Sequence, residues 1–236
     1  MIPKVIHYCW FGGNPLPKDL KKYIKSWERY CPDYEIKEWN ETNFDINCHP
    51  FVASAYKNKA WAFVSDYARL KVVYDHGGIY LDTDVEVLRN PDFLLRNSCF
   101  IGVEQGVDMC TTGLGFGAEK EHPVIRKMLE RYDGLVYDPE KRNELACPYL
   151  NMPVFEELGY QCSDEVVYLP QVTVYPSRFF DPLSPGETEN LLCEDTVSIH
   201  HYAAAWTSRK NRLKRRIVRL IGEGRVLKLK KFLKRA

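Results

Sequence analysis

Apolar and polar positions along this chain follow two rhythms. From Trp61 to His76, Phe63, Tyr67, Leu70 and Tyr74 recur at i, i+4, i+7 and i+11, the spacing of one helical face. Asp19–Cys31 and His122–Tyr132 predict two further helices, the second beginning at Pro123. Shorter apolar runs read as strands: Lys4–Trp10 (KVIHYCW), Tyr34–Trp39 (YEIKEW), Phe100–Glu104, Val166–Leu169 and Thr196–His200. Gly77-Gly78 ends the long helix, and the stretch to Val87, GGIYLDTDVEV, reads as a strand entering the interior. Gly113, Gly115 and Gly117 are spaced GxGxG rather than GxGxxG and are expected to form a turn. Strands alternating with helices imply an α/β chain with a mostly parallel sheet wrapped by helices.

The strand from Gly77 to Val87 raises a chemical question. Side chains alternate faces along a strand, so Tyr80, Asp82 and Asp84 fall on one face, with Ile79, Leu81 and Val85 on the other. Two carboxylates on one face repel and are costly to bury unless a positive charge lies between them. A divalent cation meets that need. The preceding helix carries Asp66 and Arg69 one turn apart and off the apolar stripe, bringing a carboxylate and a guanidinium to the same region. In open α/β sheets ligands gather beyond the carboxyl ends of the strands, where Trp10 and the aspartate pair both fall. A nucleotide sugar suits this layout. The aromatic ring would stack on the base, the cation would bind the diphosphate as a Lewis acid, and the Asp/Arg pair would hold sugar hydroxyls.

Charge adds one feature. The net charge of +1 conceals thirteen Lys and Arg against the single acid Glu223 in residues 209–236, leaving 20 basic and 31 acidic residues in 1–208. The expected organisation is therefore an acidic domain, 1–208, and a basic tail, 209–236. In the tail Leu213, Ile217, Leu220 and Ile221 recur at helical spacing, as do Val226, Leu229 and Leu233, with basic residues on the other faces. That is the pattern of a helix lying on an anionic membrane surface. The eight cysteines form no CxxC pair, and the amino-terminal MIPKVIHYCWFGG lacks a basic and apolar leader. The expectation is reduced, mostly buried cysteines in a cytoplasmic protein, peripheral on the inner face of the membrane.

Three segments carry a resemblance: IPKVIHYCWFGG at 2–13, AFVSDYARLKVVYDHGGIYLDTDV at 62–85 and SIHHYAAAW at 198–206. The sequence resembles glycosyltransferases of the DXD-containing sugar-binding-region family. That family groups bacterial capsular and lipopolysaccharide enzymes with yeast α-mannosyltransferases and, more distantly, the glucosylating domains of large clostridial toxins. The resemblance implies a GT-A fold, a nucleotide-sugar donor, Mn2+ or Mg2+, and retention of anomeric configuration. By position, Trp10 matches the base-stacking tryptophan, and Asp66 and Arg69 match the pair gripping the donor sugar. Asp82 and Asp84 form the DXD, Asp84 as direct metal ligand and Asp82 shared between ribose and metal, with Tyr80 beside them on the donor side. His200 matches the histidine completing the metal shell, with His201 as substitute, and Trp206 matches a tryptophan near the diphosphate. Ala205 stands where a serine is common, which removes one diphosphate or metal contact.

The expected function is transfer of a hexose, with a UDP-hexose as donor, to a growing bacterial surface glycan or lipid-linked glycan. Glu104, Gln105 and Asn151 are further polar candidates at site loops. Two other functions compete. A haloacid-dehalogenase-type phosphatase also ends a strand in Asp-x-Asp, but its motif continues with Thr or Val where Glu86 stands, and it sits on the first strand. A nucleic-acid-binding role for the tail conflicts with the acidic body, which repels phosphate backbones.

Overall fold

The computed structural model describes residues 1–185 and 188–203. The tail 209–236, its boundary at 208, Ala205 and Trp206 lie outside the described residues.

The expected first strand forms as β1 (Val5–Cys9), followed by α1 (Lys18–Tyr30), β2 (Glu35–Trp39), α2 (Pro50–Lys57) and α3 (Trp61–His76). β3 (Gly78–Tyr80), β4 (Val85–Val87), β5 (Cys99–Glu104) and β6 (Met109–Ala118) come next. After α4 (Pro123–Glu130) and α5 (Cys147–Glu157), the short strands β7 (Val167–Tyr168), β8 (Thr173–Tyr175) and β9 (Ser198–His200) close the described chain. One seven-stranded sheet has the order β2-β1-β3-β6-β5-β8-β7, and β4 and β9 form a separate pair. Within the large sheet β1 pairs in parallel with β2 and β3, and β5 with β8, while β6 and β7 run against their neighbours. Five strands therefore point one way, the α/β architecture that the strand–helix alternation predicts.

Alternation along the strands feeds two cores. In β5, Phe100 faces one cluster while Cys99, Ile101 and Val103 face the other. The larger core is covered by α2, α3, α4 and α5, and the smaller by α1, the β4–β9 pair and Phe179 and Phe180. Trp27 of α1 is fully buried and its indole Nε1 donates to the Val85 carbonyl at 2.8 Å, pinning α1 to β4.

Two expectations change. The stretch from Gly77 to Val87 is not one strand. β3 stops at Tyr80, the Val85 N–H closes a turn on the Asp82 carbonyl at 3.0 Å, and the chain crosses into the second sheet. Asp and Thr favour such a turn because their side chains compete for backbone hydrogen bonds. The two-residue parity survives the turn, since Ile79, Leu81 and Val85 all face the smaller core. Gly113, Gly115 and Gly117 do not form a turn either; they lie inside the ten-residue β6. The reason is close approach: a Cβ on Gly113 would lie 2.6 Å from Asp82 Oδ2.

Buried polar groups sit at the seam between α3 and β1. His7 donates through Nε2 to the Gly77 carbonyl at 2.8 Å and accepts from Trp39 Nε1 through Nδ1 at 3.0 Å. That pattern requires a neutral ring, and burial pushes His7 down to about 4. The glycine that ends α3 thus has its carbonyl held by the first strand. All eight cysteines are free, five of them buried.

Candidate functional site

Three elements reach the carboxyl edge of β1 and β3 together. α3 brings Asp66 and Arg69, the turn after β3 brings Asp82 and Asp84, and β9 brings His200. Arg69 is not a surface residue. It is 4% exposed, and its Nη2 lies 3.2 Å from Asp66 Oδ1 and 3.1 Å from Asp82 Oδ1. Nε donates to the Ser65 carbonyl, Nη1 donates to Thr112 Oγ1 at 3.4 Å, and the guanidinium lies over the Tyr80 ring at 4.9 Å. Tyr80 in turn donates its hydroxyl to Asp82 Oδ1 at 3.0 Å. Gly113 leaves the space into which Asp82 and Arg69 fit. Burial opposes the charge on Arg69, but Asp82, Tyr80 and Asp66 hold its pKa well above the ordinary value. For Asp66 burial wins over Arg69 and pushes the carboxyl up to about 6. Burial raises Asp82 as well, with Arg69 opposing and Asp84 adding to the rise.

Asp84 turns the other way. Its Oδ1 lies 3.2 Å from His200 Nε2, and its Oδ2 accepts the Ala203 N–H at 2.6 Å. The backbone of the same segment is tied down as well, with the His201 N–H on the Asp84 carbonyl at 2.9 Å. Burial would raise Asp84, yet the His200 charge and the hydrogen bonds lower it. Burial would lower His200, and Asp84, with Asp82 and Asp181, raises it to about 9. The protein thus sets a separate positive group against each carboxylate, Arg69 on Asp82 and His200 on Asp84.

Ligand atoms of Asp82, Asp84 and His200 all lie within 4.8 Å of one another. Two carboxylates and an imidazole, partly or fully buried, fit a divalent cation such as Mn2+, with the proton now on His200 standing where positive charge is needed. His201 is not part of this cluster. Its Nε2 pairs with Glu86 Oε2 at 2.8 Å and its ring stacks on Tyr23 at 4.4 Å. His200 is the last residue of β9, and His201, the next residue along the extended chain, points to the other side.

Trp10 is half-buried just past β1, and its Nε1 donates to the Asn14 carbonyl at 2.6 Å. The loop beyond it is held where the Gly12 N–H donates to Glu41 Oε1 at 2.6 Å. Of the polar candidates, Glu104 accepts from Thr111 and Gln105 binds Asp181, whereas Asn151 is buried in α5 with no partner for its amide among the described residues. Sequence reading missed Gly113, Thr112, Asp181 and the Ala203 N–H. Only Gly113 carried a signal, as the first of three alternate glycines in a run that lies in a strand.

Residues 17–101 match the family described as "Glycosyltransferase sugar-binding region containing DXD motif". The chain is 30% identical over 133 residues to an uncharacterized glycosyltransferase of Acanthamoeba polyphaga mimivirus, covering 53% of each. It is 29% identical over 132 residues to inositol phosphoceramide mannosyltransferase 3 of Schizosaccharomyces pombe, covering 54% of this chain and 36% of the yeast protein. The alignments thus span about half or less of these relatives. Among solved structures, PaToxG glycosyltransferase superposes with a TM-score of 0.54 at 18% identity, covering 67% of this chain and 70% of that one. This chain shares its GT-A fold.

Proposed function

We propose that this chain, a member of the family of glycosyltransferases with a DXD-containing sugar-binding region, is a metal-dependent enzyme that moves a hexose from a nucleotide-sugar donor to a glycan or lipid-linked glycan acceptor. The observation that carries the reading is the convergence of Asp82, Asp84 and His200 within 4.8 Å beside the buried Asp66–Arg69 pair. When bound there, Mn2+ or Mg2+ would neutralise the diphosphate and act as a Lewis acid on the departing nucleotide. Asp84 and His200 would hold it, with Asp82 shared between metal and ribose. Arg69 and Asp66, locked against each other, would present a fixed pair of polar groups to the sugar. UDP is the nucleotide we assign, and retention of configuration the outcome. The lipid-linked class of acceptor is supported by the yeast relative's name, which specifies a phosphoceramide and mannose. The phosphatase alternative loses its ground, because Asp82 is locked to Arg69 and Tyr80 and the matched family contains DXD transferases.

A screen of nucleotide sugars by nucleotide release, with Mn2+ and with EDTA, tests the function; NMR of the product then gives the linkage. Release that is unaffected by EDTA with every active donor contradicts the metal-dependent reading. The half-buried Trp10 supports a base-stacking role. Trp10→Ala should raise the donor KM roughly tenfold, since base stacking contributes about 1–3 kcal/mol. An unchanged donor KM would make Trp10 a packing residue.

No helix among the described residues is long and apolar enough to cross a membrane. The thirteen basic residues of 209–236 support reversible attachment to anionic lipid, each cation near the surface contributing roughly 1 kcal/mol. The full chain should sediment with phosphatidylserine vesicles and be released by high salt. Equal sedimentation of a chain ending at Ser208 would exclude the tail as the anchor.

A further inference from the structure

The segment that delivers His200 is held by little regular structure. β9 pairs with β4 over three residues only, Val85–His200, Glu86–Ile199 and Val87–Ser198. A ladder that short is weak by itself. Beyond it Tyr202 stands at φ +47°, a left-handed conformation that costs a bulky side chain energy. Something outside the ladder must compensate for that strain and keep residues 200–203 around Asp84.

The compensating contacts come from a second layer of polar residues. The Tyr202 hydroxyl donates to Asp181 Oδ2 at 2.7 Å, and Ser184 Oγ donates to the Tyr202 hydroxyl at 3.3 Å. Asp181 is fully buried, and the same Oδ2 accepts the Gln105 N–H at 3.0 Å. The Gln105 side chain bridges onward, donating to the Asp181 and Glu189 carbonyls and accepting the Glu189 N–H at 2.7 Å. One carboxylate therefore ties the carboxyl end of β5 to the segment after β9. The Tyr202 ring lies 4.1 Å from the His200 ring, so the anchored tyrosine also fixes the direction of the imidazole.

We propose that Asp181 and Tyr202 are positioning residues for the metal site: they latch the segment 200–203 so that His200 faces Asp84, and so set the affinity for the cation. The proposal rests on the metal-dependent reading above and names no new ligand. Asp181 acts through Tyr202, and Tyr202 acts through the ring it packs on His200 and through the Ala203 N–H that follows it. The hydroxyl is the part that joins residue 202 to the buried Asp181. The Gln105 side chain, read from the sequence as a site-loop residue, belongs to this latch.

The test is Mn2+ affinity, read by electron paramagnetic resonance on the full chain without donor or acceptor. Tyr202→Phe keeps the ring and removes one hydroxyl. It should raise the Mn2+ Kd about tenfold, the worth of a hydrogen bond to a carboxylate. Asp181→Ala should do at least as much. Asp181→Asn keeps an acceptor for both donors and should restore affinity to within about threefold. In turnover, the Tyr202→Phe defect should be recovered by raising Mn2+, with kcat at saturating metal near that of the parent. A general loss of packing would lower the thermal midpoint without that selective recovery. A parent chain with no Mn2+ affinity removes the metal reading on which the proposal rests. A parent that binds Mn2+ no better than Tyr202→Phe overturns the latch alone.

Discussion

Asp84→Ala should reduce sugar transfer at least about a thousandfold, a barrier increase of roughly 4 kcal/mol, while the chain stays folded. The size follows from the position of the carboxylate. Asp84 is 8% exposed, its two oxygens face His200 and the Ala203 N–H, and it is the carboxylate of the pair that lacks an arginine. Its removal deletes the ligand we assign to the cation and leaves His200 facing a void. Folding is spared because His200 can shed its proton. The imidazole is raised to about 9 chiefly against burial by Asp84, and without that partner it reverts to the neutral form that burial favours. Asp84→Asn separates shape from charge: it retains an acceptor for the Ala203 N–H, so a comparable loss of rate would show that charge is what the step needs. Rates at saturating donor and Mn2+, with circular dichroism of each variant, make the measurement. If Asp84→Ala keeps more than about a tenth of the parent rate, a loss of under roughly 1.4 kcal/mol, the metal assignment is wrong.

Arg69→Ala should cost the fold about 3–5 kcal/mol before any effect on turnover is considered. Arg69 is the cation shared by two carboxylates, Asp66 and Asp82, at 3.2 and 3.1 Å, and all three side chains are at least largely enclosed. Deleting the guanidinium leaves two acids near each other, Asp66 almost wholly shut off from water and Asp82 only partly solvated. They will take up protons in response, so the variant should gain stability relative to the parent as pH falls, in the direction already visible in the raised Asp66. The loss is not the worth of the ion pairs; it is the cost of uncompensated charge. A triple replacement, Arg69→Met with Asp66→Asn and Asp82→Asn, should therefore recover most of the stability while remaining inactive. Denaturant midpoints read both outcomes. A loss below about 1 kcal/mol in Arg69→Ala would mean that water reaches the pair, contrary to the 5% exposure of the arginine side chain.

The contrast between these two residues bears on how the site reads in the sequence. Asp66 and Arg69 stand off the stripe of Phe63, Tyr67 and Leu70, which by helical geometry places them on another face. Yet α3 is buried on nearly every side, Val64, Ala68, Val72 and Val73 included. Packed between the sheet and the helices α2 and α4, it keeps a partly exposed edge, at Lys71 and Asp75. The pair becomes a buried charge network because of what surrounds it, and no periodicity within sixteen residues can report that.

What the sequence determined by itself was local. The bounds of α3, the strands at β1, β2 and β5, the ending of α3 at Gly77-Gly78 and the parity of Ile79, Leu81 and Val85 follow from side-chain spacing and from glycine, which act over a few residues. The residue types of the candidate site were legible for the same reason, since Asp-x-Asp on one parity is a local pattern. Tertiary structure decided the rest. It made β6 a strand in which Gly113 and Gly117 serve close approaches to groups brought in from elsewhere in the chain, Asp82 and Phe100. It moved Asp82 and Asp84 out of a strand and into a turn, because β3 ends where β6 and Arg69 close around it. It set His200 rather than His201 beside Asp84 through the register Val85–His200, a pairing across more than a hundred residues that parity alone leaves open by one. It also set Tyr202 on Asp181, a contact between two loops with no period at all. Such contacts depend on which surfaces meet once the chain has folded, and the spacing of side chains along a single segment does not encode that meeting.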